Sequence, residues 1–268
     1  MKCGVKNAGL VVLFLLVLSA CNGVFEYSPY VTQVKGGLKN LLSKNTDWLY
    51  KILSDMAEDD ITFAVVSDTH YDYKELEQFI DLINSRKDIS FVVVGGDIAD
   101  KGLLKEYEIF QDIMKGLNKP YFTVIGNHDY LAGGGEVYRQ IFEVYNYSID
   151  VGGKKIVFFD DVFWESNKRP DFEWLEKELS AAGDRELVVI THIPPFGDQF
   201  SKEDELLYVN LMRKYKVQLS VHGHVHTSYQ GHYYNDETNY VVVPSMLKRI
   251  FYEITLSENI KVKEVTLQ

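Results

Sequence analysis

The sequence predicts an α/β fold built from two facing mixed β-sheets flanked by helices. Three observations point there. From about residue 46 to 125, apolar runs of strand length alternate with amphipathic helical stretches, as in a largely parallel sheet with crossover helices. Gly152-Gly153 separates two strand-like runs, 147–151 and 155–159, and reads as a hairpin turn. From residue 229 to the end, the chain is rich in short β-type segments.

The elements follow in order. Asn45 or Thr46 can cap a first helix carrying Trp48, Leu49, Ile52, Leu53 and Met56 at helical spacing. The run 61–67 is a buried strand, and Leu76, Phe79, Ile80 and Ile83 mark one face of the next helix. A strand at 89–94, a helix at 103–114 and a strand at 121–125 complete the first half. After the hairpin come a helix at 172–179, a strand at 187–190, a helix at 203–214 and a strand at 217–221. Strands at 229–234, 240–243, 250–255 and 260–267 close the chain. The loops after the strands should face one another at one end, where α/β folds hold ligands.

With 268 residues, 46% of them hydrophobic, the chain can bury one large core, and no linker-like composition interrupts it after residue 60. The formal net charge of −11 makes it a poor non-specific binder of nucleic acid.

The first residues read as an address. Lys2 and Lys6 precede nine continuous apolar residues at 10–18, too short to span a bilayer as a helix, which needs roughly 20. Leu18-Ser19-Ala20-Cys21 resembles the bacterial lipoprotein processing site. The weakly periodic stretch after Cys21 reads as a tether to residue 45, or packs on the domain at 46–268, and the resemblance implies a signal peptide at 1–20 and a lipidated Cys21. It further implies a protein of the bacterial cell envelope, held to the membrane by its lipid anchor. The chain's two cysteines, Cys3 and Cys21, then leave no thiol for a disulfide. No protein partner is inferable.

Five short segments hold most of the good metal ligands: Asp68-Thr69-His70, Gly96-Asp97, Gly126-Asn127-His128-Asp129, His192 and Gly223-His224-Val225-His226. They contain five of the seven histidines, and each follows an apolar strand-like run. Carboxylates and imidazoles suit manganese, iron and zinc. Asp68 and His70 are two apart and would point the same way on an extended strand end, as would His224 and His226. Any one Asp, Asn or Gly alone would read as a turn or cap residue. Five blocks in this order outweigh that reading.

This order of blocks resembles the calcineurin-like metallophosphoesterase superfamily, over residues 61–226. The resemblance implies a four-layer sandwich and two divalent or trivalent metal ions. One ion would take Asp68, His70, Asp97 and His226. The other would take Asp97, Asn127, His192 and His224, with Asp97 bridging. His128 would sit over the substrate and Asp129 would orient it. The implied reaction is hydrolysis of a phosphodiester or phosphomonoester by a hydroxide activated at the dinuclear centre.

The pocket loops would be 130–136, 160–171 (with Trp164, Asn167 and Arg169) and 196–200, and a small phosphoester substrate fits them best. Arg169 could hold a second phosphate or simply be a solvated loop residue. His222 reads as a supporting histidine, and His232 carries no functional reading. The alternative from another class is a non-catalytic metal-binding scaffold lipoprotein, against which the complete ligand set argues. A metal-dependent hydrolase of other bonds is a second alternative, which the Gly-Asn-His-Asp block disfavours.

Overall fold

The computed structural model describes residues 28–55, 61–197 and 199–268. The chain divides into two compact units, Met1–Val31 and Thr32–Gln268. Of the first, only 28–31 is described, a turn closed by Val31 N–H donating to Ser28 O. The expected signal peptide and Cys21 therefore lie outside the described residues. Among the described residues, no helix is long and apolar enough to cross a membrane.

The second unit is a four-layer α/β/β/α sandwich. Its first sheet has five strands: β1 (Ile61–Val66), β2 (Ile89–Val94), β3 (Tyr121–Thr123), β10 (Ile250–Leu256) and β11 (Lys261–Thr266), in the order β11-β10-β1-β2-β3. The second has six: β4 (Tyr147–Val151), β5 (Lys154–Phe158), β6 (Leu187–Ile190), β7 (Leu219–His222), β8 (Tyr229–Gly231) and β9 (Asn239–Val242), in the order β4-β5-β6-β7-β9-β8. Both sheets are mixed. The strands β1, β2 and β3 are parallel, as are β5, β6, β7 and β9, while β10, β11, β4 and β8 pair antiparallel with their neighbours.

Side chains alternate across each strand, and that alternation builds the layers. On β1, Phe63 and Val65 enter the core between the sheets, with Phe91, Phe122, Phe158, Ile190 and Val221. Ala64 and Val66 face the other way, onto a core shared with Leu76, Phe79, Tyr107, Phe110 and Tyr138. On β6, Val189 turns outward against Phe172, Leu175, Tyr208 and Met212. Helices α1 (Leu41–Ser54), α2 (Tyr73–Ser85), α3 (Leu104–Met114) and α4 (Gly134–Phe142) serve the first sheet, and α5 (Phe172–Ser180) and α6 (Lys202–Lys214) the second.

The ends of α6 show why it forms where it does. Ser201 Oγ caps it by accepting from Asp204 N–H at 3.0 Å. Acidic residues fill its first turn, and Arg213 and Lys214 its last, opposing the helix dipole. Gly152 (φ +57°) and Gly153 (φ +74°) make the hairpin turn between β4 and β5, in the left-handed conformation that such a two-residue turn needs.

Two expectations change. The first helix begins at Leu41, not at an Asn45 or Thr46 cap. Those two side chains lie inside α1 and bond back four residues, Asn45 Nδ2 to Leu41 O and Thr46 Oγ1 to Leu42 O, each at 2.8 Å. Val34, Leu38 and Leu41 pack on the outer core of the first sheet. That apolar contact draws residues from Thr32 onward into the compact unit. Second, the expected pocket loop 130–136 is half helix. A 3-10 turn (His128–Gly133) leads straight into α4. Gly134 permits this, because a Cβ there would lie 2.6 Å from the Gly102 Cα.

Candidate metal centre

All five sequence blocks emerge from the C-terminal ends of parallel strands: β1, β2 and β3 in one sheet, β6 and β7 in the other. The sheets face each other, so the blocks meet across the same end.

The ligand atoms of Asp68, His70 and His226 lie within 4.8 Å of one another, and so do those of Asp97, His192 and His224. Asp97 joins the groups: its Oδ2 is 3.2 Å from His192 Nε2 and 3.7 Å from His70 Nε2. Asn127 Oδ1 lies 3.0 Å from His224 Nδ1, in the second group. All seven predicted ligand residues are thus brought together.

The backbone reaches this arrangement by an unexpected route. Asp68 (φ 50°), His70 (φ 37°), Asp97 (φ 52°), His224 (φ 66°) and His226 (φ 59°) are all left-handed. Asp and His tolerate that region better than most side chains, and such residues cluster at functional sites. Asp68 and His70 therefore do not converge by extended-strand alternation. Each leaves the strand direction at once, held by Asp68 N–H to Gly96 O at 3.0 Å and His70 N–H to Asp97 O at 3.1 Å.

Three glycines make the close approach possible. A Cβ on Gly96 would lie 2.4 Å from His192 Nδ1, on Gly126 2.1 Å from Asp97 Oδ1, and on Gly223 2.6 Å from Asp68 Oδ2. The turn glycines of the motif thus leave room for the neighbouring ligand side chains.

The donor set fits a cation. His192 Nδ1 is 2.7 Å from Gly95 O, an acceptor only, so this nitrogen carries the proton. In the neutral ring Nε2 is then an acceptor, and it faces the Asp97 carboxylate without a hydrogen bond. Two buried acceptors face to face call for a positive charge between them, a proton or a metal ion. A ligand histidine whose other nitrogen is fixed by a backbone carbonyl is the usual arrangement at metal sites. Against the push of burial, a proton in that place lets the two side chains hold each other charged, Asp97 down at about 2 and His192 up at about 10, and a metal ion would take the proton's position. Asp97 is therefore an anion at neutral pH, as a metal ligand would be.

His128 is half-exposed beside this cluster, its ring edge-on to His70 at 4.8 Å between centroids. Its expected pairing with Asp129 is replaced. His128 Nδ1 donates to Asp100 O at 2.7 Å, which leaves Nε2 for another partner. The Asp100 carboxylate lies 3.9 Å from His128 Nδ1 and 3.7 Å from His70 Nδ1, and accepts from Tyr71 Oη at 2.7 Å. Asp129 is fully buried and accepts from Ala99 N–H (2.9 Å), Gly126 N–H (2.9 Å), Ile98 N–H (3.2 Å) and Tyr107 Oη (3.0 Å). It clamps the Asp97 loop to the Asn127 loop and so acts on the ligands, not on the imidazole of His128.

Sequence reasoning missed three supporting residues. Asp100 carried a signal, since it follows Asp97 by three in the same strand-end loop. Asp161 accepts from Ile193 N–H at 3.1 Å and His192 N–H at 3.3 Å, fixing the peptide that bears the ligand. Glu165 Oε1 accepts from Asn127 Nδ2 at 3.2 Å, and nothing local in the sequence marks it.

The remaining candidates resolve plainly. Arg169 is held by Asp204 (2.6 Å) and Glu203 (3.7 Å) of α6, as a loop arginine paired at the surface. His222 is buried, with Nδ1 2.8 Å from Thr191 Oγ1 and Nε2 2.8 Å from Ser220 Oγ. Burial pushes its pKa down to about 3, so it is a neutral supporting ring. His232 bonds the Thr238 carbonyl at 2.9 Å in the β8–β9 connection. In the third expected loop, Phe196 stacks on Tyr233 with centroids 4.1 Å apart.

Comparison with known proteins agrees with this geometry. The calcineurin-like phosphoesterase family model matches residues 61–228, and the chain belongs to that family. A probable cyclic nucleotide phosphodiesterase of Fibrobacter succinogenes is 28% identical over 211 residues, covering 71% of this chain and 79% of the relative. The glycerophosphodiester phosphodiesterase GpdQ of Enterobacter lignolyticus is 29% identical over 158 residues, covering 49% of this chain and 56% of that one. The purple acid phosphatase PPD1 of yellow lupin shares the fold, with a TM-score of 0.62 at 17% identity over 78% of this chain and 52% of the lupin chain. The protein is a metal-dependent hydrolase of phosphoester bonds.

Proposed function

We propose that this protein hydrolyses a small phosphodiester at a dinuclear metal centre bridged by Asp97. The observation that carries this is the position of Asp97 Oδ2 between the two histidine groups, 3.2 Å from His192 Nε2 and 3.7 Å from His70 Nε2. Asp68, His70, Asp97 and His226 would hold one ion, and Asp97, Asn127, His192 and His224 the other. When bound, two such ions supply an activated water and neutralise charge on the phosphoryl oxygens.

The chain's own residues do the rest. Asp129 and Asp161 fix the ligand-bearing loops. His128, with Nδ1 tied to Asp100 O, keeps Nε2 for the substrate; if protonated, it would meet charge on a phosphoryl oxygen or donate to the leaving oxygen. The diester preference rests on the relatives, which are named as phosphodiesterases. The leader and Cys21 support a lipid-anchored protein of the bacterial envelope, with its active site available to substrates outside the cytoplasm.

The test is hydrolysis by purified 22–268 of a chromogenic diester and its matching monoester, after chelation and re-addition of manganese, iron or zinc. Metal-restored turnover that favours the diester supports the reading. Two bound metals with no turnover on either ester would overturn it in favour of a scaffold.

A further inference from the structure

The loop between β5 and α5 touches two ligands of the same predicted metal. At its start, Asp161 holds the His192 peptide. Four residues on, Glu165 Oε1 accepts from Asn127 Nδ2 at 3.2 Å. Ser166 ties the segment together, donating to Val162 O at 2.6 Å and accepting from Lys168 N–H at 3.0 Å. The second Glu165 oxygen, Oε2, is buried and finds no hydrogen-bond partner among the described residues. The carboxylate is thus committed to a single contact, the one with Asn127.

That contact has a chemical consequence. Asn127 is the one uncharged, non-imidazole residue of the ligand set, and only its Oδ1 can bind a metal. The two ends of a carboxamide are nearly the same size, so shape alone does not choose between them. A carboxylate is an acceptor only and can bond the nitrogen end alone. With Nδ2 held by Glu165, Oδ1 faces the second group, 3.0 Å from His224 Nδ1.

We propose that Glu165 is a positioning residue. It fixes the carboxamide of Asn127 so that Oδ1 is offered to the second metal, and thereby sets that site's affinity without touching the ion. This rests on the two-metal reading above.

Metal titration of the apo-protein by calorimetry, with zinc or manganese as the probe, tests it. The wild type should bind two ions. Glu165→Ala should weaken one of the two sites by about 10–100-fold, the usual effect of removing a group that orients a ligand, and leave the other unchanged. Glu165→Gln should restore most of the affinity, because its amide oxygen still accepts from Nδ2. Adding Glu165→Ala to Asn127→Ala should cause no further loss, since the two act as one unit.

Three results would overturn the proposal. They are wild-type binding in Glu165→Ala, equal weakening of both sites, or a Gln variant as weak as the Ala one, which would make the effect charge and not orientation. Fewer than two ions in the wild type would instead remove the two-metal reading itself, and this role with it.

Discussion

His192 Nε2 faces Asp97 Oδ2 at 3.2 Å, while its opposite nitrogen donates to Gly95 O. Two buried acceptors in that relation need a proton or a metal ion between them, so metal removal should exchange one for the other and leave His192 protonated. Chelation should lower the thermal unfolding midpoint, and re-addition of metal should restore it, by the linkage that stabilises any ligand-bound native state. A midpoint indifferent to chelator would mean that the proton serves the pair as well as a metal does.

Asp97→Asn should lose metal and turnover together, because the Asp97 carboxylate lies against both histidine groups. Elemental analysis beside an ester assay checks this. Full metal content in the variant would place the bridge elsewhere.

His128→Asn should keep both metals and lower turnover by about 10²–10⁴-fold, the range for lost general-acid help. Asp100→Asn should do less damage, because the bond to the His128 ring comes from the Asp100 main-chain carbonyl and survives the change. Equal losses in the two variants would give the Asp100 carboxylate a larger role than its 3.9 Å distance from the ring suggests.

Asp129→Asn should act on stability. Its carboxylate accepts from three main-chain N–H groups and a tyrosine hydroxyl, and an amide nitrogen would oppose at least one of those donors. A buried unsatisfied donor costs about 1–3 kcal/mol, readable in denaturant unfolding. Gly126→Ala should cost a similar amount, about 1–3 kcal/mol for overpacking, because the new Cβ would lie 2.3 Å from Asp97 N. Gly37→Ala is the control, with nothing within 4 Å of its added Cβ.

Asp160 offers a pH test away from the ligands. Burial pushes its pKa up to about 6. A carboxyl raised in the folded state holds its proton after the unfolded chain, near pH 4, has released it. Stability therefore falls as pH rises from about 4 through about 6, then levels off. Asp160→Asn removes that dependence, so its advantage over wild type in unfolding midpoint should be larger at pH 7.5 than at pH 4.5. An advantage equal at both pH values would mean that Asp160 ionises normally.

Much of this was legible in the sequence because strand alternation and strand-end blocks are local signals. Phe63 and Val65 against Ala64 and Val66 announce a two-faced strand, and Asp68 and His70 announce its functional end. What was hidden was long-range. Nothing near residue 250 says that β10 returns to pair with β1 in the first sheet. Leu41 enters a helix because Val34 and Leu38 pack beside it on the core, which no cap signal reports. Three consecutive glycines read as a loop, although Gly134 and Gly135 open a helix packed against Gly102 and Tyr130. The partners of His128 and Asn127 depend on which loops meet, so the contacts of Asp100 and Glu165 emerged only from the fold.

The most direct measurement is a crystal structure of the protein soaked in manganese or zinc, with the ions located by anomalous scattering. The account predicts two ions about 3.5–4 Å apart, bridged by Asp97, with Asn127 Oδ1 on the ion that His192 and His224 hold. A single ion, or one held by His70, Asp100 and His128 instead, would contradict it.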